Sequence, residues 1–196
     1  GLDYAITTVD QKNGTKSNPV PFTTATLQIE ASSKLGFSAS TTMRAAQGLY
    51  QAGHITYHRT DSLNLSKQAL AAIADYITST FGDNYLQTRN FKTKSASAQE
   101  AHEAIRPTDI TQESVGGNDF ERKLYQLIRS RTLATQMPPA QVLKTTVILQ
   151  PNYTTTPATQ PVEFIAKGEV ISFDGFLKVY GSSKEAELPA LKVGDL

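Results

Sequence analysis

The chain has 196 residues, 39% hydrophobic and 19% charged, which is too apolar for disorder and long enough for one domain, or one domain plus part of another. Cysteine is absent, so a disulfide scaffold, a Cys-ligated zinc centre and a thiol nucleophile are excluded. No apolar run reaches the roughly 18 residues of a membrane span, and the start lacks a signal-peptide pattern. With no Met at position 1, the chain reads as a piece of something longer. Net charge is +1, unevenly spread: Pro21 to Thr145 carries 13 basic and 10 acidic residues, Thr146 to Leu196 carries 4 and 6. A mildly basic middle fits an anionic partner and equally an ordinary solvated surface.

Leu2 to Val9 is rich in Thr, Ile and Val and predicts a strand, followed by a loop over Asn13 to Pro21. A first helix begins near Phe22 with Thr23 or Thr24 as cap, puts Leu27, Ala31 and Leu35 on one face and stops at Gly36. A second, capped by Ser40, groups Met43, Ala46 and Tyr50 and stops at Gly53. Two short amphipathic helices across a tight turn form a helix-turn-helix pattern, which many pairs that never touch DNA share. His54 to His58 is a short β-type run, and Thr60, Asp61 and Ser62 read as a turn. Ser66 caps a third helix with Leu70, Ile73, Ile77 and Phe81 in register, ended by Gly82. A polar, basic loop with Arg89, Lys92 and Lys94 precedes a short helix over Ala98 to Ile105, halted by Pro107. A fourth helix runs from Asp119 to Ala134 with Phe120, Leu124, Leu127 and Ile128 inward. Strands are predicted over Val142 to Leu149 and Glu163 to Phe173, joined by a Thr/Pro-rich hairpin loop, with a weak strand over Lys184 to Leu196. The fold class is therefore α+β: a helical domain at 21–141 inserted in a β-rich domain made of 1–20 and 142–196.

Common catalytic motifs are missing. There is no phosphate-binding G-x-x-x-x-G-K-[ST] and no G-x-G-x-x-G. His102-Glu103 opens like H-E-x-x-H, but position 106 is Arg, so that zinc motif is broken and no metal site within this chain is expected. The stretch Ile55-Thr56-Tyr57-His58-Arg59-Thr60-Asp61-Ser62 is different. On a strand, Tyr57 and Arg59 share a face and His58 points the other way. A phenol, with an ordinary pKa of about 10, is a poor nucleophile at neutral pH. A neighbouring guanidinium favours its ionised form and binds phosphate oxygens. The same spacing also fits a buried strand tyrosine beside an unrelated surface arginine.

Three blocks in order carry a resemblance. They are Pro21-Phe22-Thr23-Thr24-Ala25-Thr26-Leu27-Gln28 running on to Leu35-Gly36-Phe37-Ser38-Ala39; Ile55 to Ser66; and Ala98-Gln99-Glu100-Ala101-His102-Glu103-Ala104-Ile105-Arg106-Pro107-Thr108-Asp109. Together they resemble the tyrosine-bearing region of type IA DNA topoisomerases, and the third block is most similar to the bacterial topoisomerase I branch. His58 departs from the pattern, where Met is commoner. Gln51 stands where the family usually has Glu.

The resemblance implies a winged-helix-like domain set in a β-rich strap domain. Tyr57 would attack a phosphodiester of single-stranded DNA and hold the 5′ phosphate, with no ATP required. Arg59 would stabilise the transferred phosphoryl group, and His102 would contact the scissile phosphate or help move a proton. Thr56, Thr60 and Asp61 would shape the DNA site, or serve only as turn residues. Arg106 would pair with Asp61 or with DNA. Gln47 would hydrogen-bond DNA, or be a solvated helix position. Mg2+ would be bound by a Toprim domain, not by this chain. The partners implied are DNA and the remaining domains of the same polypeptide, with no membrane, in a cytoplasmic, nucleoid-associated setting. The alternative is a non-catalytic winged-helix DNA-binding module. The isolated chain is expected to bind single-stranded DNA weakly and not to relax supercoils.

Overall fold

Local chemistry starts and stops most of the helices. In the computed structural model, which describes residues 4–91, 102–151, 163–181, 188 and 191–195, α1 covers Thr24–Leu35. Its cap, Thr23, exchanges hydrogen bonds with Thr26 in a capping box, and Gly36 closes the helix in the left-handed conformation at φ 68°. The helix α2 (Ala39–Gln51) is capped by Ser38, whose Oγ accepts from the Thr41 N–H at 3.1 Å. Ser38 takes the place expected for Ser40 because the turn after α1 is only three residues long. The helix α3 (Lys67–Phe81) is capped by Ser66, and α4 (Asp119–Thr135) by Asn118.

Two units make up the chain, and each has its own core. The first joins Gly1–Ser17, Pro139–Asp174 and Ser182–Leu196. It holds an antiparallel sheet of β1 (Tyr4–Lys16), β2 (Ala140–Pro151) and β3 (Phe164–Phe173), with β2 in the centre. The β1–β2 ladder runs from Tyr4 opposite Pro151 to Lys16 opposite Ala140. This overturns the predicted loop from Asn13: residues 13–16 pair along β2, and the bare Gly14 lies against the Lys144 stem and Val142. A complete ladder of backbone bonds outweighs the turn preference of Asn-Gly. Val142 and Val147 are buried beneath the sheet. Gly168 in β3 is a close approach, since a Cβ there would sit 2.6 Å from Leu188. Residues 191–195 form a turn instead of the predicted strand, tied to β1 by Ile6 N–H donating to Asp195 O and Gly194 N–H donating to Ile6 O. The hairpin loop predicted over 152–162 lies outside the described residues.

The second unit, Asn18–Pro138 with Gly175–Gly181, contains α1 to α4 and the four-residue α5 (Leu177–Tyr180), which the sequence did not signal. Phe22, Leu27, Ala31, Leu49, Ile55, Ile105, Leu124, Tyr125 and Ile128 belong to one buried cluster. Two predicted faces are shifted. On α2 the buried residues are Thr42, Ala45, Ala46 and Leu49, while Tyr50 turns outward at 42% exposure. Phe120 of α4 is also exposed, resting only its edge on Phe37.

The β run expected over His54 to His58 reduces to a single bridge, Ile55 with Pro107, and a second bridge joins Phe22 to Ile105. His54 to His58 is not a strand. Nor do residues 102–105 form the end of a helix: the Ala104 N–H donates to Asn64 O and the Ile105 N–H to Phe22 O. Those non-local bonds satisfy the backbone in an extended conformation. The rest of that predicted helix, 98–101, lies outside the described residues, as do Lys92 and Lys94.

Candidate active site

The segment after α2 is held in place on two sides. From α1, the Thr24 N–H donates to Thr60 O at 2.9 Å, and the Thr24 hydroxyl donates to His58 O at 2.8 Å while accepting from the Thr60 N–H at 2.9 Å. From the segment after His102, the Thr56 hydroxyl donates to Ala104 O at 2.7 Å and accepts from the Arg106 N–H at 3.0 Å. The Thr56 N–H in turn donates to Arg106 O at 2.9 Å, and the Thr60 hydroxyl donates to Glu103 O at 3.0 Å. Thr56 and Thr60 therefore spend their hydroxyls on the protein backbone.

From Tyr57 to Thr60 exposed and buried side chains alternate, but Ile55, which a strand would put on the face of Tyr57 and Arg59, is buried. Ile55, His58 and Thr60 are buried, while Tyr57, at 45% exposure, and Arg59 face outward. The Tyr57 ring packs edge-on against Tyr50 at 5.2 Å and against His58 at 5.3 Å, and Tyr50 lies 5.6 Å from His58. The nucleophile candidate thus packs its ring on Tyr50 and His58 and lines a cleft while 45% exposed.

Two clefts meet here. One, of about 300 Å³, is lined by Tyr50, Thr56, Tyr57, Thr60, His102 and Glu103. The other, of about 440 Å³, is lined by Thr23, Thr24, Ala25, Arg59, Thr60, Asp61 and His102. They share Thr60 and His102, so His102 borders both the cleft of the Tyr57 phenol and the neighbouring cleft of the Arg59 guanidinium. The first turn of α1 contains no acidic residue, so its N-terminal dipole adds to the positive potential of Arg59. Asp61 is the opposing charge on that wall. A phosphodiester entering these clefts would meet a hydroxyl, a guanidinium and an imidazole.

The other candidates sort differently. Arg106 pairs with Glu103, through Nη2 at 2.6 Å and Nε at 3.1 Å, and not with Asp61. Glu103 stands three positions before Arg106 in the chain. Gln47 is exposed on α2 and lines neither cleft. Tyr50, Thr24 and Glu103 were missed as site residues. Tyr50 had been assigned to a helix face, and Glu103 was set aside with the broken zinc motif. Among the described residues no group of three or more His, Cys, Asp or Glu side chains could hold a metal ion.

His58 carries a pH signature. Burial, with the Arg59 charge beside it, pushes its imidazole below the ordinary 6.5. Its Nδ1 is buried without a hydrogen-bond partner. Below about pH 6.5 the unfolded chain binds a proton that the folded chain refuses, so this contribution to stability is present above 6.5 and lost as pH falls. Thermal melts between pH 8 and 5.5 are expected to show a falling midpoint that flattens in His58→Met. An identical slope in that variant would assign the loss to another group.

Comparison with known proteins follows the same lines. A family model described as DNA topoisomerase matches residues 2–196. DNA topoisomerase 1 of Synechocystis sp. is 42% identical over 210 residues, covering 100% of this chain and 22% of that protein. DNA topoisomerase 1 of Synechococcus elongatus is 43% identical over 207 residues, covering 98% and 22%. The solved structure of full-length topoisomerase I from Thermotoga maritima superposes with a TM-score of 0.79 at 32% identity, covering 98% of this chain and 32% of that one. The chain thus spans about a fifth of the length of the curated relatives it matches.

Proposed function

Because this chain belongs to the type IA DNA topoisomerase family, we propose that it carries the strand-breaking tyrosine of such an enzyme. In this reading a single strand of DNA enters the recess with a phosphodiester between Tyr57 and Arg59. The Tyr57 Oη attacks phosphorus, the Oη–P bond forms and the P–O3′ bond breaks. The 3′ oxygen leaves as a hydroxyl, taking up a proton, while the phenol proton passes to solvent or to a neighbouring base. Arg59 neutralises the charge that builds on the phosphoryl oxygens, and His102 contacts the same phosphate or moves the proton. The phosphotyrosine ester conserves the energy of the broken bond, so the 3′ hydroxyl can reverse the step without ATP after strand passage. In the complete polypeptide this would relax negative supercoils.

The observation that carries the reading is the exposed Tyr57 phenol in a recess that shares Thr60 and His102 with the Arg59 cleft. The helices α1 to α3 with the two bridges at Phe22 and Ile55 support a winged-helix-like domain, reduced to its shortest β ladder. The three-stranded unit is read as strap material. Mg2+ is assigned to a Toprim domain elsewhere in the polypeptide, and the setting to the cytoplasm, at the nucleoid.

End-labelled oligonucleotides test it. When the complete polypeptide is mixed with single-stranded DNA and Mg2+ and then denatured, a 3′-end label is expected to migrate with the protein and a 5′-end label to leave on a shorter fragment. Protein-bound 5′ label, or no adduct in either case, would overturn the assignment.

A further inference from the structure

One carboxylate in the recess has no place in that reaction. Glu103 borders the Tyr57 cleft, where a DNA phosphate would be repelled by a bare negative charge. Burial acts to raise its pKa, but the hydrogen bonds from Arg106 and from Ser66 outweigh burial and hold it below the ordinary 4.5. A carboxyl so held is ionised at neutral pH and is a poor proton donor. Its charge is cancelled by the bidentate Arg106 pair, which closes one side of it to any ligand.

What the residue does touch is informative. Its Oε1 accepts from the Ser66 backbone N–H at 2.6 Å, at the cap of α3. Its main-chain oxygen accepts from the Thr60 hydroxyl at 3.0 Å. Its partner Arg106 forms the two backbone bonds to Thr56. Thr56 and Thr60 bracket Tyr57 and Arg59, and Glu103 directly follows His102. The Glu103 side chain therefore ties the start of α3 to Arg106, while the main chains of Glu103 and Arg106, next to His102, hold both flanks of the tyrosine segment. We propose that Glu103 is a positioning residue that sets Tyr57, Arg59 and His102 in mutual register for phosphoryl transfer. The assignment rests on the topoisomerase reading given above. Its physical basis is that a misplacement of about 1 Å in an attacking geometry can cost on the order of a hundredfold in rate.

The test uses the complete polypeptide and single-turnover adduct formation on an end-labelled single-stranded oligonucleotide. Glu103→Gln keeps the size but sets an amide N–H against the Arg106 donors. It is expected to slow adduct formation roughly ten- to hundredfold while oligonucleotide affinity changes little. Arg106→Gln added to it restores a complementary amide pair and should recover part of the rate, and Glu103→Asp should fall between. The idea is overturned if Glu103→Gln, with its melt intact, cleaves at the parental rate. It is equally overturned if rate, affinity and folded fraction fall together in all three variants, which marks a purely structural residue. Should Glu103→Gln fail to fold, Glu103→Asp and the double variant decide on the same criteria. A parental protein that forms no adduct overturns the reaction reading itself, and is distinguished by its own control lane.

Discussion

Replacing Tyr57 with Phe in the complete polypeptide is expected to abolish the covalent DNA adduct while leaving the fold and DNA binding in place. The substitution removes one oxygen and keeps the ring, so the edge contacts to Tyr50 and His58 survive. The hydroxyl lies at a side chain 45% exposed, where a loss of polarity changes stability by no more than about 0.5 kcal/mol. Without the nucleophile no residual covalent route exists unless another phenol takes over. Tyr50 is the rival, because it lines the same cleft at 42% exposure. Tyr50→Phe is therefore the paired variant, expected to retain the adduct. The measurement is radiolabel retained on protein after denaturation, with the attachment point mapped by peptide mass. An adduct undiminished in Tyr57→Phe would refute the assignment, and one mapped to Tyr50 would transfer it there. DNA binding in both variants with no adduct from the parent would instead support the non-catalytic module.

The contrast between Tyr57 and His102 shows which parts of the site were legible in the sequence. Tyr57 and Arg59 are expected on one face through the period of a strand; both side chains are exposed, and they line two different clefts. No strand forms: only Ile55 makes a β bridge, and the alternation from Tyr57 to Thr60 lies in an extended segment pinned by Thr24, Thr56 and Thr60. An extended backbone alternates its side chains whether or not a ladder is complete. His102 was expected on a helix and lies in an extended segment. The segment that follows it is fixed at Ala104 and Ile105 by partners far away in sequence, Asn64 and Phe22, which no local pattern reveals. The helix ends behaved in the opposite way. Ser66, Gly36 and Gly82 act on backbone groups within a few residues, so residue type alone locates them, whereas it leaves Thr23 and Thr24 open for α1 and points to Ser40 where Ser38 caps α2. Tyr50 was misread because a helix ending at the site turns its last aromatic into the cleft instead of the core. Glu103 was passed over because its carboxylate answers to Ser66 and Arg106, a juxtaposition that exists only after folding.

Phe22→Ala is expected to be the most damaging single core substitution, and it couples the core to the recess. Phe22 is fully buried and stands just before the Thr23 cap, with Leu27 one turn inside α1, so the two form a hydrophobic staple within one cluster. The Arg131 guanidinium lies 4.5 Å above its ring. Its carbonyl accepts the Ile105 N–H at 2.9 Å, which holds the segment leading from His102. Truncation removes the ring and leaves a cavity bounded by helices that cannot close it, at a cost of about 3–5 kcal/mol. Against a typical domain stability of about 5–15 kcal/mol that is a large share. Ile29→Ala on α1, at 67% exposure, removes half as many carbons, from a side chain in water, and should cost less than about 0.5 kcal/mol. Urea unfolding of both variants separates the two cases: a midpoint shift for Phe22→Ala several times that for Ile29→Ala, at equal slope, is the expected outcome. Equal shifts would mean that Phe22 does not anchor this core.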